Sequence, residues 1–137
     1  MEIKFEYREM LEPKEKFNED KTWYAQEQDD ALRYYLKPSA KIIRTYRDGD
    51  YQGTYFALIR YKKTYVLWRD SFGSCSGCDA LDGTDIKSGY DYISDTMTEG
   101  NCKRFKSIRE MESWLLNTDD YLWEELKNNY SKFKGVD

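Results

Sequence analysis

The residues whose types and spacing could do chemistry lie in a short segment rich in glycine and serine. Residues 73–79 read GSCSGCD and place Cys75 and Cys78 three positions apart. This spacing lets two thiolates bind one metal ion, or lets one thiol attack a disulfide that the other resolves. The candidate functional residues of this turn are Ser74, Cys75, Cys78 and Asp79.

Two chemical interpretations of this turn stay open. In a zinc site Cys102 would be a third ligand and a nearby aspartate the fourth, although closed structural zinc sites usually draw on Cys and His alone. The aspartates in question are Asp79, Asp82 and Asp85. In a thiol-redox site the two cysteines would need the strand–CxxC–helix arrangement of a βαβ unit. The strands before this turn indicate an antiparallel meander instead.

The interpretation we favour is a tight turn between a strand and a helix. Gly73 and Gly77 would supply unusual backbone dihedrals, and Asp79 would cap the helix that follows. The cysteines would then be small buried apolar side chains. This interpretation requires neither a metal nor a cofactor.

A β-hairpin positions this turn. Residues 55–61 and 64–72 are rich in aromatic and β-branched residues, which suit a pleated and partly buried surface. Lys62 and Lys63 would form the tip, and we expect a type I turn because two lysines fit a primed turn poorly.

The hairpin register follows from that tip, and both of its faces are apolar. The predicted pairs are Ala57–Trp68, Leu58–Leu67, Ile59–Val66 and Arg60–Tyr65. One face would carry Ala57, Ile59, Val66 and Trp68, and the other would carry Phe56, Leu58 and Leu67. The sequence therefore predicts two central strands that are covered on both sides.

The remaining elements complete one α+β domain over residues 1–137. Alternating residues 1–8 predict a strand, residues 41–47 a second, and residues 102–106 a short added one. Helices are predicted over residues 19–37, as one helix or two, and over 84–98. Two more follow, one capped by Ser107 and one that starts near residue 118 and ends at Gly135. We expect an antiparallel meander of about four strands with these helices packed on it.

Composition excludes several classes of protein. The chain has no histidine, which removes His-based triads and the common His metal ligands. Three cysteines do not make a secreted disulfide framework. The start of the chain is charged and alternating rather than a signal peptide, and no apolar run could span a membrane. These features predict a cytoplasmic protein.

Clusters of charged residues are weaker candidates for a functional site. The net charge of −4 argues against a nucleic-acid partner, although a local basic patch occurs at Lys103, Arg104, Lys106 and Arg109. Carboxylates cluster at Asp48 and Asp50, and again at Asp119, Asp120, Glu124 and Glu125. We interpret the last group as helix caps that, if they dominate one surface, could imitate the charge of a nucleic acid.

Residues 51–81 together with Trp114 resemble small uncharacterised prokaryotic and phage proteins. In those proteins a strand ends in an aromatic-GSCSGCD motif, and a tryptophan-bearing helix lies near the C-terminus. The resemblance covers about a third of the chain and implies that the hairpin and the turn form one unit. It implies no activity.

The absence of a credible catalytic set predicts a protein that is not an enzyme and that binds another protein. Tyrosine and tryptophan are plentiful, with 13 and 4 copies, and both are enriched at binding hot spots. By analogy, a phage or viral inhibitor of a host machine would fit: an anti-CRISPR, anti-restriction or polymerase-binding protein in the host cytoplasm. The alternative is a metal-stabilised or thiol-redox domain centred on Cys75 and Cys78.

Overall fold

Five antiparallel strands form one open sheet in the part of the chain that the computed structural model describes, which is residues 5–13, 28–49, 53–72 and 86–135. The strands are β1 (Lys41–Asp48), β2 (Gly53–Tyr61), β3 (Thr64–Phe72), β4 (Cys102–Phe105) and β5 (Lys134–Gly135). Their order is β4-β3-β2-β1-β5. The first four make a meander and β5 pairs with the outer edge of β1. The predicted α+β fold with an antiparallel meander is confirmed.

Helices cover both faces of this sheet. They are α1 (Gln28–Tyr35), α2 (Ile86–Thr96), α3 (Ile108–Asn117) and α4 (Glu124–Asn128). Helices α1 and α2 pack on a first core that contains Ala57, Ile59, Val66 and Trp68. Helices α3 and α4 pack on a second core that contains Phe56, Leu58 and Leu67. The predicted division of the hairpin into two apolar faces is therefore confirmed, as are its residue pairs.

The hairpin tip differs from the prediction. Lys62 and Lys63 have φ angles of 48° and 62°, so the turn is of the I′ type and the expected type I turn is wrong. A I′ turn matches the right-handed twist of the two strands, and this outweighs the local preference of lysine for negative φ. The Nζ atom of Lys62 also lies 2.8 Å from Oε2 of Glu9.

The N-terminal strand predicted over residues 1–8 is not present where the structure describes it. Residues Tyr7–Met10 form a 3₁₀ turn, and residues 1–4 lie outside the described part. Tyr7 and Met10 are both buried, because positions three apart share one side of a 3₁₀ turn. Among residues 5–13, Leu11 alone pairs in strand fashion, in an isolated bridge to Leu36.

Several helix ends agree with the sequence signals. Helix α1 ends at Tyr35, shortly before Pro38. At α3 the Glu110 backbone N–H donates to Ser107 Oγ over 3.0 Å, and Glu110 Oε2 accepts from the Lys106 backbone N–H at the same distance. The capping box is thus confirmed, with its return bond one residue before the cap. Residues 19–27 of the predicted helical segment lie outside the described residues.

The predicted C-terminal helix up to Gly135 is wrong in its second half. Helix α4 ends at Asn128, a 3₁₀ turn follows over Tyr130–Lys132, and Gly135 lies in β5. The backbone of β5 pairs with Arg44 and Thr45 at the open edge of β1. Pairing this edge satisfies strand donors and acceptors that a longer helix would have left bare.

Lys63→Gly is expected to stabilise the protein. Glycine relieves the positive φ at this position, and this gain exceeds the added entropy of the unfolded chain by about 0.5–1 kcal/mol. Urea unfolding measures the difference. Lys63→Ala is the matched control, since it removes the same charge without relieving the backbone. Equal stability of the two variants would contradict the strain at Lys63.

Candidate functional site

The cysteine turn that the sequence singles out lies outside the described residues. This holds for Ser74, Cys75, Cys78 and Asp79, and also for Asp82 and Asp85. Cys102 is described and is fully buried in the first core on β4. Its Sγ atom lies 3.9 Å from the Met97 sulfur and 4.0 Å from the Thr96 carbonyl oxygen.

The surroundings of Cys102 favour a neutral thiol. Burial raises the pKa of this thiol far above its ordinary value, and a thiol needs to lose its proton to act as a nucleophile or a metal ligand. Among the described residues, no group of three or more Cys, Asp or Glu side chains is placed to hold a metal ion. Within this part of the chain Cys102 acts as a small apolar side chain.

Native protein is expected to leave Cys102 unmodified by a thiol-alkylating reagent at pH 8, because the side chain has no access to solvent and keeps its proton. Peptide mapping by mass spectrometry after native and denaturing alkylation measures this. Full modification under denaturing conditions is the internal control. Rapid labelling of Cys102 in the folded protein would contradict its burial.

A buried polar group at one end of the sheet forms a second candidate, here called the Asp70 cluster. It consists of Gln28, Asp29, Tyr55, Asp70 and Tyr92. Asp70 is only 7% exposed, and the Tyr92 hydroxyl lies 2.9 Å and 2.8 Å from its two carboxylate oxygens. Tyr55 is the direct cross-strand neighbour of Asp70, and its hydroxyl donates to Asp29. The cluster therefore joins α1 and α2 to the two central strands.

Burial raises the pKa of Asp70 to about 6. Hydrogen bonds from Tyr92 and Gln28, and the charge of Arg69, oppose this rise without cancelling it. A carboxyl group that titrates near neutral pH is a common property of general acids and bases. Here Tyr92 engages both of its oxygens and little of it reaches solvent. The contacts thus assign Asp70 a structural role between β3 and α2.

Sequence reasoning missed Asp70, although a signal was present. Successive strand residues point to opposite faces, so Asp70 shares its face with Val66 and Trp68. A carboxylate at an apolar face of a central strand must be buried, and a buried carboxylate needs hydrogen-bond donors. The period of two therefore marks Asp70 as unusual, but it does not name Tyr92 or Gln28 as the donors.

Asp70→Asn is expected to change how stability depends on pH. The raised pKa means that the folded protein binds the Asp70 proton more tightly than the unfolded chain, so wild-type stability falls as pH rises from about 4 to about 6. The variant has no carboxyl group at this position, so its unfolding free energy does not fall over this pH range. Its unfolding free energy relative to wild type should rise by roughly 2.5 kcal/mol between pH 4 and pH 7, as measured by urea unfolding.

Asp91, which is exposed on α2 next to Tyr92, provides the control for this experiment. Asp91→Asn should change the unfolding free energy by less than about 0.5 kcal/mol at either pH. A difference between Asp70→Asn and wild type that stays constant with pH would contradict the buried carboxylate.

The basic residues near β4 do not form one patch. Arg104 pairs with Val66 of the first core and Lys103 with Leu67 of the second, so their side chains lie on opposite faces of the sheet. The Arg104 guanidinium lies 4.1 Å from the ring centre of Phe5. The predicted basic patch is divided by the sheet itself.

The acidic residues, in contrast, are gathered around α3 and α4. Residues 108–128 hold six carboxylates and two cations, a net charge of −4 that equals the net charge of the whole chain. The carboxylates are Glu110, Glu112, Asp119, Asp120, Glu124 and Glu125. A shallow depression lies at the start of α4, lined by Asp119, Asp120, Tyr121, Glu124, Lys127 and neighbouring polar residues.

This acidic region contains an exposed tyrosine and a pair of neighbouring carboxylates. Tyr121 is 78% exposed, and with Leu116 it makes up the exposed large apolar side chains of the described residues. Asp48 at the end of β1 lies beside Glu125, and its negative charge raises the pKa of Glu125 above the usual value. The fold thus places like charges together at Asp48 and Glu125, and it places an exposed aromatic ring beside the carboxylates of the depression.

Comparison with models of protein families, with curated proteins and with solved structures found no match. The resemblance to small prokaryotic and phage proteins therefore stays a prediction. In the described ranges, no helix has the length and apolar character to cross a membrane.

Proposed function

We propose that this protein is a non-enzymatic binding protein whose acidic surface binds a basic surface of another protein. The acidic surface is defined as Asp48, Asp119, Asp120, Tyr121, Glu124 and Glu125. The observation that carries the proposal is the exposed ring of Tyr121 beside the carboxylates of Asp119, Asp120 and Glu124, which line the same depression. Tyrosine is among the residues that supply most binding energy at protein interfaces.

The electrostatics of the surface support a basic partner. The negative charge of Asp48 raises the pKa of the Glu125 carboxyl, so the two carboxylates lie close enough to repel each other. Lysine or arginine side chains of a partner would relieve this repulsion and would steer the encounter. The charge also argues against a nucleic-acid partner, whose phosphates would meet carboxylates here.

The narrower role remains a prediction from the resemblance and from analogy. An inhibitor of a host machine needs only a surface that occupies a basic groove, such as the groove with which a nuclease or polymerase holds nucleic acid. The alternative of a metal-stabilised or thiol-redox domain depends on Cys75 and Cys78. No described residue favours it over the binding role.

Tyr121→Ser and the double variant Asp119→Lys/Glu124→Lys are expected to lose a partner that the wild type retains. The first removes the aromatic anchor, and the second inverts the local charge at two exposed positions. Immobilised wild type and variants, exposed to the same lysate over a series of salt concentrations, are compared by quantitative mass spectrometry. Retention should fall at least about tenfold in each variant, and wild-type retention should fall with salt.

A matched double variant on the other face of the sheet controls for charge and stability. Asp91 and Asp95 are exposed on α2, and Asp91→Lys/Asp95→Lys makes the same change in net charge. This variant should retain the partner. Equal loss in both double variants, or the absence of any retained protein at every salt concentration, would contradict the proposal.

A further inference from the structure

We propose that the depression between the end of α1 and the start of β1 binds a small organic phosphate, that is, a phosphate group attached to a compact apolar body. The depression shares no residue with the acidic surface, so this inference is independent of the proposed function. It stands on the size of the depression, on its apolar wall and on the cations that line it.

The size and the wall of the depression suit a small molecule. Its volume is ≈ 350 Å³, at the lower end of the range of roughly 300–1,000 Å³ that is typical of ligand sites. The apolar wall consists of Leu36, Ala40 and Ile42, and all three also belong to the first core. A ligand would therefore place its apolar atoms against side chains that the core already holds in position.

Three cations line the same depression, and none of its described lining residues is a carboxylate. The cations are Arg33, Lys37 and Lys41. Arg33 pairs with Asp29 over 2.9 Å, so its charge is already balanced. Among the described residues, the ammonium groups of Lys37 and Lys41 make no ion pair and no hydrogen bond. Two positive charges thus remain for a ligand.

A further cation lies beside the depression. Lys41 is the direct cross-strand neighbour of Arg60, so their Cβ atoms are about 5 Å apart, and like charges at such positions destabilise a strand pair. Arg60 has no ion pair among the described residues either. Lys37 acts on the carboxylate of Glu9, but Lys62 already holds that carboxylate at 2.8 Å. Positive charge is therefore in excess here, in a chain whose net charge is −4.

Backbone hydrogen bonds restrain the loop that carries the two lysines. The Lys37 N–H donates to the Met10 carbonyl oxygen over 2.8 Å, and the Ala40 N–H donates to the Lys37 carbonyl oxygen over 2.9 Å. Pro38 occupies the second position of the turn that the latter bond closes, where proline is favoured. A restrained loop loses little conformational entropy when a ligand binds.

The charge of the site favours a phosphate over a carboxylate. A carboxylate carries one negative charge and would leave cations unbalanced, whereas a phosphate monoester carries nearly two at neutral pH. Its terminal oxygens can also accept hydrogen bonds from both Lys37 and Lys41. A nucleic-acid backbone fits less well, because its many phosphates would meet the negative charge of the rest of the chain.

The test uses phenyl phosphate as the probe, with benzoate, inorganic phosphate and a single-stranded oligonucleotide for comparison. The intact ¹⁵N-labelled protein is titrated at low salt, and its backbone amide signals are followed by NMR. We expect phenyl phosphate to move the signals of residues 36–42 and to saturate. Benzoate lacks the second charge and inorganic phosphate lacks the apolar body, so each should bind at least about tenfold more weakly.

Lys37→Gln and Lys41→Gln each remove one cation from the site. Lys41 is exposed and Lys37 half-buried, so both variants should fold. Affinity for phenyl phosphate should fall about tenfold in each, as loss of one charge-assisted hydrogen bond predicts. Lys132→Gln is the matched control, because Lys132 is exposed in the C-terminal 3₁₀ turn and its replacement makes the same change in net charge. This control should keep the wild-type affinity.

Several outcomes would overturn the proposal. Benzoate that binds as tightly as phenyl phosphate would reduce the site to general attraction of anions, and inorganic phosphate that does so would contradict the apolar contact. Tighter binding of the oligonucleotide at residues 36–42 would assign the surface to a nucleic-acid backbone. Unmoved signals with phenyl phosphate, or an equal loss of affinity in Lys132→Gln, would remove the site. Tyr121→Ser should bind phenyl phosphate as wild type does, so none of these results bears on the acidic surface.

Discussion

Pairing of β2 with β3 is the constraint on which the rest of the structure depends. The two strands match residue for residue from Gly53 and Phe72 to the tip at Tyr61 and Thr64. Because both faces of this ribbon are apolar, the chain has to supply a layer of helices on each side. Helices α1 and α2 cover one face, and α3 and α4 cover the other.

This arrangement explains the two unusual charged residues of β3. Arg69 and Asp70 are consecutive, so they face opposite sides of a sheet that is covered on both sides, where Asp70 is buried and Arg69 is half-buried. Asp70 is satisfied by Tyr92 and Gln28. Arg69 finds Asn101 for one of its nitrogens and no acceptor for Nε. The same strand therefore holds a complete polar contact on one face and an incomplete one on the other.

The acidic surface gives the proposed function its physical basis. Carboxylates around Tyr121 would provide long-range attraction for a basic partner. Clustered like charges do not stabilise the free protein. Features that cost stability in isolation are the ones that a bound partner would relieve.

The sequence by itself determined the hairpin register, the faces of the sheet and the cap at Ser107, because each depends on neighbouring residues and a fixed period. It could not determine the turn type at Lys62, where strand twist overrides local preference, nor the strand at Gly135, which forms because β1 has an open edge. The same limit applies to the site. The period of two marks Asp70 as a residue on a buried face, but its contact with Tyr92 and the packing of Phe56 on Trp123 join residues distant in the chain. Only tertiary structure decides such contacts, since no local period encodes which distant side chains meet.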